Sequence, residues 1–179
     1  IARLTAPPLL DTVVRVSEDS DNLSAELLLR HIARAAGGEG AEDGLDAVHS
    51  MLAEAGIGRA GVELSDGSGL SPYNRITPQA TVSFLAWTTA QPWSDAFRAT
   101  LPVGGRTGSL ARRFRGTPLE GRLFAKTGTV QGVNALSGFL IAASGEMLVF
   151  SVIANDRPVD GDPVVPVIDA LLLEIAAAN

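Results

Sequence analysis

The sequence predicts an α+β domain in which helices cover an antiparallel sheet. Apolar residues recur at helical spacing through most of the first half of the chain and again near its end. Between these segments lie three apolar, strand-like runs at residues 122–130, 135–142 and 147–154. Short turns separate the runs, so they form consecutive antiparallel strands. Because the runs are apolar on both faces, helices must cover both sides of the sheet.

Glycine and proline residues set the boundaries of the predicted helices. Gly37, Gly56 and Pro92 each end an amphipathic segment. The predicted helices cover residues 9–17, 23–36, 44–55, 81–91 and 164–175, with shorter helical turns at 94–100 and 110–114. Residues 1–8 are expected to be extended because they contain paired prolines, and residues 62–64 form a short strand.

Composition excludes several classes of function. A chain of 179 residues with 46% hydrophobic residues can bury a sizeable core, as one domain or the larger part of one. Its net charge of −6 and the lack of a long basic run argue against a nucleic-acid partner. The absence of cysteine excludes disulfides and thiolate metal sites. The apolar C-terminal segment is too short, and carries too many acids, to be transmembrane.

The segment GRLFAKTGTVQGVNALSGFL, residues 121–140, carries the most specific polar pattern. Lys126 is the only lysine in the chain. On a strand, Thr127 and Thr129 lie on one face and Lys126 on the other, while Gly128 leaves a gap that admits a ligand or another backbone. Two hydroxyls and a cation could then meet a carboxylate. The alternative is an ordinary strand end before a turn at residues 131–132.

A second polar cluster, Ser20-Asp21-Asn22, lies between the first two predicted helices. It indicates a helix start or an inter-helix turn, and helix capping alone would explain these residue types. The two histidines, His31 and His49, have no motif around them and are interpreted as surface or packing residues.

Taken in order, five blocks resemble class C low-molecular-mass penicillin-binding proteins, the D-alanyl-D-alanine carboxypeptidase/endopeptidases of the penicillin-binding protein 4 type. The blocks are PPLL, SDNLSAELLLR, DGSGLSPYNRITP, LPVGGRTGSLARRF and FAKTGTVQGVNALSGFL. Within them, Ser-x-Asn and Lys-Thr-Gly resemble the second and third motifs of penicillin-binding proteins and serine β-lactamases. The resemblance implies that fold, with a groove between the Ser20 turn and the Lys126 strand. A P-loop is excluded because Ala125 precedes Lys126.

The resemblance also implies a role for each matching residue. Ser20 would relay a proton to the leaving amine, Asn22 would bind the substrate amide, and Lys126 would bridge to Ser20. Thr127, Gly128 and Thr129 would form the substrate-binding strand, the threonine hydroxyls binding the terminal carboxylate and the N–H of Thr129 acting as an oxyanion donor. The implied ligand is a peptidoglycan stem peptide or a β-lactam, the location is extracytoplasmic, and no metal or cofactor is implied.

The first motif of that family, Ser-x-x-Lys, is missing. Leu123 stands three residues before the only lysine, so nucleophile and base must come from elsewhere. We therefore expect residues 1–179 to be the C-terminal part of one penicillin-binding domain. Since the sequence begins with Ile1, we expect a processed product or a fragment, whose partner is the N-terminal part of the same enzyme, carrying Ser-x-x-Lys.

Two other functions remain open. A β-lactamase of the same fold is disfavoured because no Glu-x-x-x-Asn deacylation pattern lies between the two motifs. A binding module without a nucleophile would keep the groove and lose the chemistry. A Ser-x-x-Lys segment next to Lys126, in a companion chain or an upstream segment, would support the enzyme over the binding module.

Overall fold

The computed structural model describes residues 7–130, 132–156 and 163–179. The helices within these ranges are α1 (Leu9–Asp19), α2 (Asn22–Ala35), α3 (Ala41–Glu54), α4 (Pro78–Thr89), α5 (Ser94–Ala99) and α6 (Val164–Ala178). The strands are β1 (Val62–Glu63), β2 (Arg75–Ile76), β3 (Leu123–Val130), β4 (Val133–Ile141) and β5 (Met147–Ala154). None of the helices placed in these ranges has the length and hydropathy that a bilayer crossing requires.

The main sheet has three antiparallel strands in the order β3-β4-β5. Its register places Lys126 opposite Ser137, which in turn lies opposite Ser151. A separate two-stranded ribbon pairs β1 with β2. The predicted α+β class and the three consecutive antiparallel strands are therefore confirmed.

Helices cover both faces of the main sheet, as its apolar strands require. On one face, α6 packs through Ile168 and Leu172 against Leu123, Leu136 and other fully buried strand residues. The opposite face meets α4 and α5 in a second cluster, whose buried members are Leu85, Leu101 and Phe139. Lys126 lies on this second face, because its strand neighbour Phe124 packs there and side chains two residues apart share a face.

The helical half of the chain is built around the pair α2 and α3. Gly44 permits their close approach, since an added Cβ would overlap the carbonyl oxygen of Leu29. Helix α1 precedes this pair and buries none of its residues. Its C-terminal residue, Asp19, lies next to the turn that leads into α2, so this helix delivers residue 20 to its position.

One predicted helical turn is wrong, one short strand was not predicted, and one expected segment lies mostly outside the described residues. The helical turn predicted at 110–114 is wrong: a 3₁₀ turn occupies Gly108–Leu110, and Phe114 has a left-handed φ of 64°, which ends helical structure. Strand β2 was not predicted, because it exists only by pairing with β1. The extended lead-in at residues 1–8 falls mostly outside the described residues.

We expect Gly138→Ala to destabilise the protein by about 1–3 kcal/mol through overpacking. An added Cβ at Gly138 would overlap the carbonyl oxygen of Phe124 and lie 2.6 Å from the Cα of Ala125, so the two strands would have to move apart. Urea-induced unfolding measures this loss.

The matched control is Gly128→Ala on the paired strand, where an added Cβ would lie an ordinary 3.4 Å from the Cβ of Ala135. Its free energy of unfolding should change little. Equal losses in both variants would contradict the steric explanation.

Candidate active site

The ammonium group of Lys126 contacts the hydroxyl of Ser20, although the two residues are 106 positions apart in sequence. Lys126 Nζ donates a hydrogen bond to Ser20 Oγ at 2.5 Å and a second one to the carbonyl oxygen of Thr127 at 3.0 Å. The predicted contact between the Ser20 turn and the Lys126 strand is therefore confirmed. Because Ser20 Oγ accepts this hydrogen bond, the hydroxyl proton of Ser20 is available for donation to a ligand.

Ser20 is held in an unusual backbone conformation between two helices. It ends α1 with φ 55° and ψ 46°, a left-handed conformation that costs a residue other than glycine about 1–2 kcal/mol. The next residue, Asp21, caps α2 by accepting the backbone N–H of Ser24 at 3.0 Å. The triplet thus contains both a helix cap, Asp21, and a residue whose side chain contacts Lys126, Ser20.

A hydrogen-bond network ties the two helices together beside Ser20. Arg15 of α1 donates to Ser24 Oγ at 2.7 Å and pairs with Asp21 at 3.2 Å, while Ser24 Oγ donates to Asp21 at 2.8 Å. The hydrogen bonds from the backbone N–H and side chain of Ser24, together with the charge of Arg15, hold the pKa of Asp21 below its usual value. The network stabilises the carboxylate of Asp21 and holds the turn between α1 and α2 in place.

Lys126 makes no ion pair with any carboxylate in the part of the chain that the structure describes. Partial burial lowers the pKa of Lys126 below its usual 10.5, because removal from water disfavours the charged form. A lysine that faces a hydroxyl in place of a carboxylate supplies positive potential and can exchange a proton with that hydroxyl.

The opposite face of β3 carries a cluster of hydroxyl groups. Thr127 Oγ1 donates to Ser109 Oγ at 2.8 Å, and Asn134 Nδ2 donates to Thr129 Oγ1 at 3.4 Å. These residues line a cavity of about 200 Å³, together with Arg113 and three apolar side chains of β4 and α6. The alternation predicted for the strand is confirmed, since the two threonines contact groups on the face away from Lys126.

Gly128 separates this small cavity from a much larger cleft of about 1150 Å³, and it lines both. The larger cleft is open to solvent and mainly apolar. Its walls are the inner sides of α2 and α3, the loop 64–76 and the ends of the sheet strands. A ligand lying along β3 could therefore reach both spaces over Gly128.

The loop 64–76 is held by two carboxylates. Asp66 accepts hydrogen bonds from the backbone of Gly69 and Ser71, both at 2.7 Å, and from the side chain of Asn74 at 2.9 Å. Glu26 of α2 accepts the N–H of Gly67 at 2.8 Å. Carboxylates that bond several backbone groups make a loop rigid, so this wall of the cleft is preformed.

The structure brings together most of the residues that the sequence singled out. Ser20 and Lys126 touch, and Thr127, Gly128 and Thr129 continue the same strand. Asn22 is exposed at the start of α2, and the structure shows no hydrogen bond of its side chain within residues 7–130, 132–156 and 163–179. Sequence reasoning did not single out Ser109 or Asn134, because their proximity to β3 arises only in the folded chain.

This fold and site define a domain of the penicillin-binding protein type. The chain belongs to the D-Ala-D-Ala carboxypeptidase 3 (S13) family, which it matches over residues 1–175. It is 38% identical over 182 residues to a D-alanyl-D-alanine carboxypeptidase of Actinomadura sp. (strain R39), covering 98% of this chain and 33% of that protein. It is 34% identical over 180 residues to the carboxypeptidase DacB of Mycolicibacterium smegmatis, covering 96% and 39%. The chain thus spans about a third of the length of these curated relatives.

Solved structures also resemble the chain in fold. Penicillin binding protein 4 (dacB) of Haemophilus influenzae, in complex with a β-lactam, superimposes with a TM-score of 0.83 at 28% identity, covering 93% of this chain and 41% of that one. A class A β-lactamase of Bacteroides cellulosilyticus shares the fold, with a TM-score of 0.69 at 20% identity over 96% of this chain and 64% of that one. The family and fold expected from the five sequence blocks are confirmed.

We expect the stability of the protein to fall with acidity in part through Asp66. Burial raises the pKa of Asp66, but the hydrogen bonds from Asn74, Gly69, Ser71 and Ser68 outweigh it, so the pKa lies below the usual 3.8. A lowered carboxyl pKa in the folded state contributes stability that is complete well above 3.8 and is lost as pH falls through the folded-state pKa.

Urea-unfolding midpoints of the wild type and Asp66→Asn, taken from about pH 7 to about pH 3, test this linkage. The wild type should lose more stability than the variant on acidification, since the asparagine does not titrate. Parallel curves would contradict the assignment.

Proposed function

We propose that this chain forms the Ser-x-Asn and Lys-Thr-Gly part of a serine-type D-Ala-D-Ala carboxypeptidase, which cleaves peptidoglycan stem peptides through an acyl-enzyme and is acylated by β-lactams. The observation that carries the proposal is the 2.5 Å contact between Lys126 Nζ and Ser20 Oγ. It is supported by membership of the S13 family and by relatives named as carboxypeptidases. Membership of a family of D-Ala-D-Ala carboxypeptidases supports a location outside the cytoplasm, where the cell wall lies.

In this proposal, Ser20 delivers the proton that the leaving amine needs when the peptide bond breaks. Lys126 donates to the oxygen of Ser20, so the serine proton points toward the ligand. The positive charge of Lys126 stabilises the negative charge that develops at the reacting carbonyl. Asn22 binds the substrate amide from the exposed start of α2.

The strand β3 positions the rest of the substrate. Thr127 and Thr129 bind the terminal carboxylate, and the N–H of Thr129 is one oxyanion donor. Gly128 keeps the strand surface open, since it has no side chain and only ordinary contacts surround its position. The bound peptide lies along β3, over the glycine that lines both cavities.

The nucleophile and its base are proposed to lie on a Ser-x-x-Lys segment outside the present sequence, within the same penicillin-binding domain to which residues 1–179 contribute the C-terminal part. Lys126 is the only lysine here, so the motif cannot be formed within this chain. The cleft of about 1150 Å³, which is lined by Val16 of α1 and Gly128 of β3, leaves room for such a segment. Its apolar walls, which include Leu28, Leu29 and Ile32, suit a helix with an apolar face.

Lys126→Ala should reduce acylation of the full-length protein by benzylpenicillin by at least about 100-fold, because it removes an electrostatic group at the site of reaction. The free energy of unfolding should change by less than about 1 kcal/mol, since Lys126 makes no ion pair among the described residues. Intact-protein mass spectrometry after timed incubation measures the covalent adduct.

Arg98→Ala is the matched control. It removes a cation whose guanidinium lies 5.8 Å from the ring centroid of Phe124, on the same strand but outside the site. Acylation should be unchanged in this variant. Undiminished acylation of Lys126→Ala would refute the role given to the lysine, and no adduct on the wild type would favour a binding module without a nucleophile.

A further inference from the structure

Both tryptophans of the chain, Trp87 and Trp93, belong to a closed ring of four aromatic side chains where α4 meets α5. Trp87 contacts Phe84 and Trp93, with ring centroids 6.1 and 5.7 Å apart. Phe97 contacts the same two residues, at 6.2 and 6.1 Å. Aromatic pairs attract one another at centroid separations of about 4.5–7 Å. The four rings therefore hold one another in place.

These four residues, called here the aromatic platform, have an inner side and an outer side. Phe84 and Phe97 pack against the buried cluster between α4 and the sheet, to which neither tryptophan belongs. Trp93 is 43% exposed, and Trp87 is only partly buried. The platform thus presents indole surface to solvent on a support anchored in the core. A ligand that binds to a preorganised surface removes little side-chain entropy.

The platform also offers hydrogen-bonding groups. Neither indole N–H has an acceptor within residues 7–130, 132–156 and 163–179, and no side-chain donor buried in these ranges lacks a partner, so the N–H of Trp87 reaches solvent. Gln91 donates its side-chain amide to the carbonyl oxygen of Trp87 at 3.3 Å, which leaves its side-chain oxygen as an acceptor. This combination suits a ligand that presents C–H groups and hydroxyls together.

Charge and area restrict the ligand further. Helix α4 contains no charged residue, and the only cation of α5, Arg98, pairs with Asp95 at 2.9 Å, so an anionic ligand is not favoured. A fully buried tryptophan side chain covers about 150–250 Å². Two partly exposed tryptophans supply far less than the roughly 800 Å² per partner that a stable protein interface buries. A small, neutral ligand fits both limits.

We propose that the aromatic platform is a binding site for a neutral oligosaccharide, with one pyranose ring stacked on Trp93. The C–H groups on the face of a pyranose carry weak positive charge, and they pack against the negative face of the indole. The sugar hydroxyls hydrogen-bond the indole N–H groups and the side-chain oxygen of Gln91.

This inference rests on the proposed function for the source of the sugar, which is the glycan strand of peptidoglycan. Arg98 lies over the ring of Phe124, two residues before Lys126 on β3, so the platform adjoins the strand that carries the proposed site. A glycan held there raises the effective concentration of its stem peptides at that site.

Calorimetric titration of the full-length protein with the β-1,4-linked tetramer of N-acetylglucosamine tests the inference. The wild type should bind with a dissociation constant on the order of 1 mM or below. Trp93→Leu keeps apolar bulk but removes the π face, and it should weaken binding by at least about tenfold. Trp93→Phe retains an aromatic face and should bind more tightly than Trp93→Leu.

Tyr73→Ala is the matched control, because Tyr73 is an aromatic residue outside the platform and is 72% exposed. Its affinity for the tetramer should equal that of the wild type. No binding by the wild type, an unchanged affinity in Trp93→Leu, or equal losses in Trp93→Leu and Trp93→Phe overturns the inference.

Acylation by benzylpenicillin separates failure of this inference from failure of the proposed function. Trp93→Leu should form the acyl adduct at the rate of the wild type, since the platform takes no part in the acylation chemistry. A wild type that is acylated but does not bind the tetramer refutes the inference and leaves the proposed function standing. A wild type that binds the tetramer through Trp93 but forms no adduct supports the sugar site and refutes the proposed function.

Discussion

The contact between Lys126 and Ser20 is the interaction on which the site depends. It joins the two halves of the fold, because the serine belongs to the helical half and the lysine to the sheet. Among the described residues, no carboxylate forms an ion pair with Lys126, so the position of the two groups depends on the backbone that carries each of them. The left-handed conformation of Ser20 and the Arg15–Asp21–Ser24 network supply that rigidity on the helical side.

Strand β3 carries an ammonium group on one face and hydroxyl groups on the other. Successive side chains of β3 point to opposite faces, so the ammonium group of Lys126 and the hydroxyl of Thr127 serve different spaces while remaining adjacent in sequence. Gly128 lies between the two spaces and lines both cavities. Each face is then closed by a different helix, α6 on one side and α4 on the other.

The walls of the site are organised before any ligand arrives. Glu26 and Asp66 bond the backbone of the loop 64–76, and the Gly108–Leu110 turn is fixed between α1 and the core. Such preorganisation reduces the entropy that binding must remove, and it keeps donors aimed at the position of developing charge. Hydrogen bonds and packing thus hold the turns that surround the functional groups of β3.

The sequence by itself determined the α+β class, the three strands of the sheet, most helices and the two polar motifs, because periodicity and helix boundaries are local properties. It could not determine that Phe114 ends helical structure, that Arg75–Ile76 pairs as a strand, or that Ser109 reaches Thr127. Each of these depends on contacts between segments distant in sequence. Only the tertiary structure decided them, since packing and hydrogen bonding across the fold override local preference.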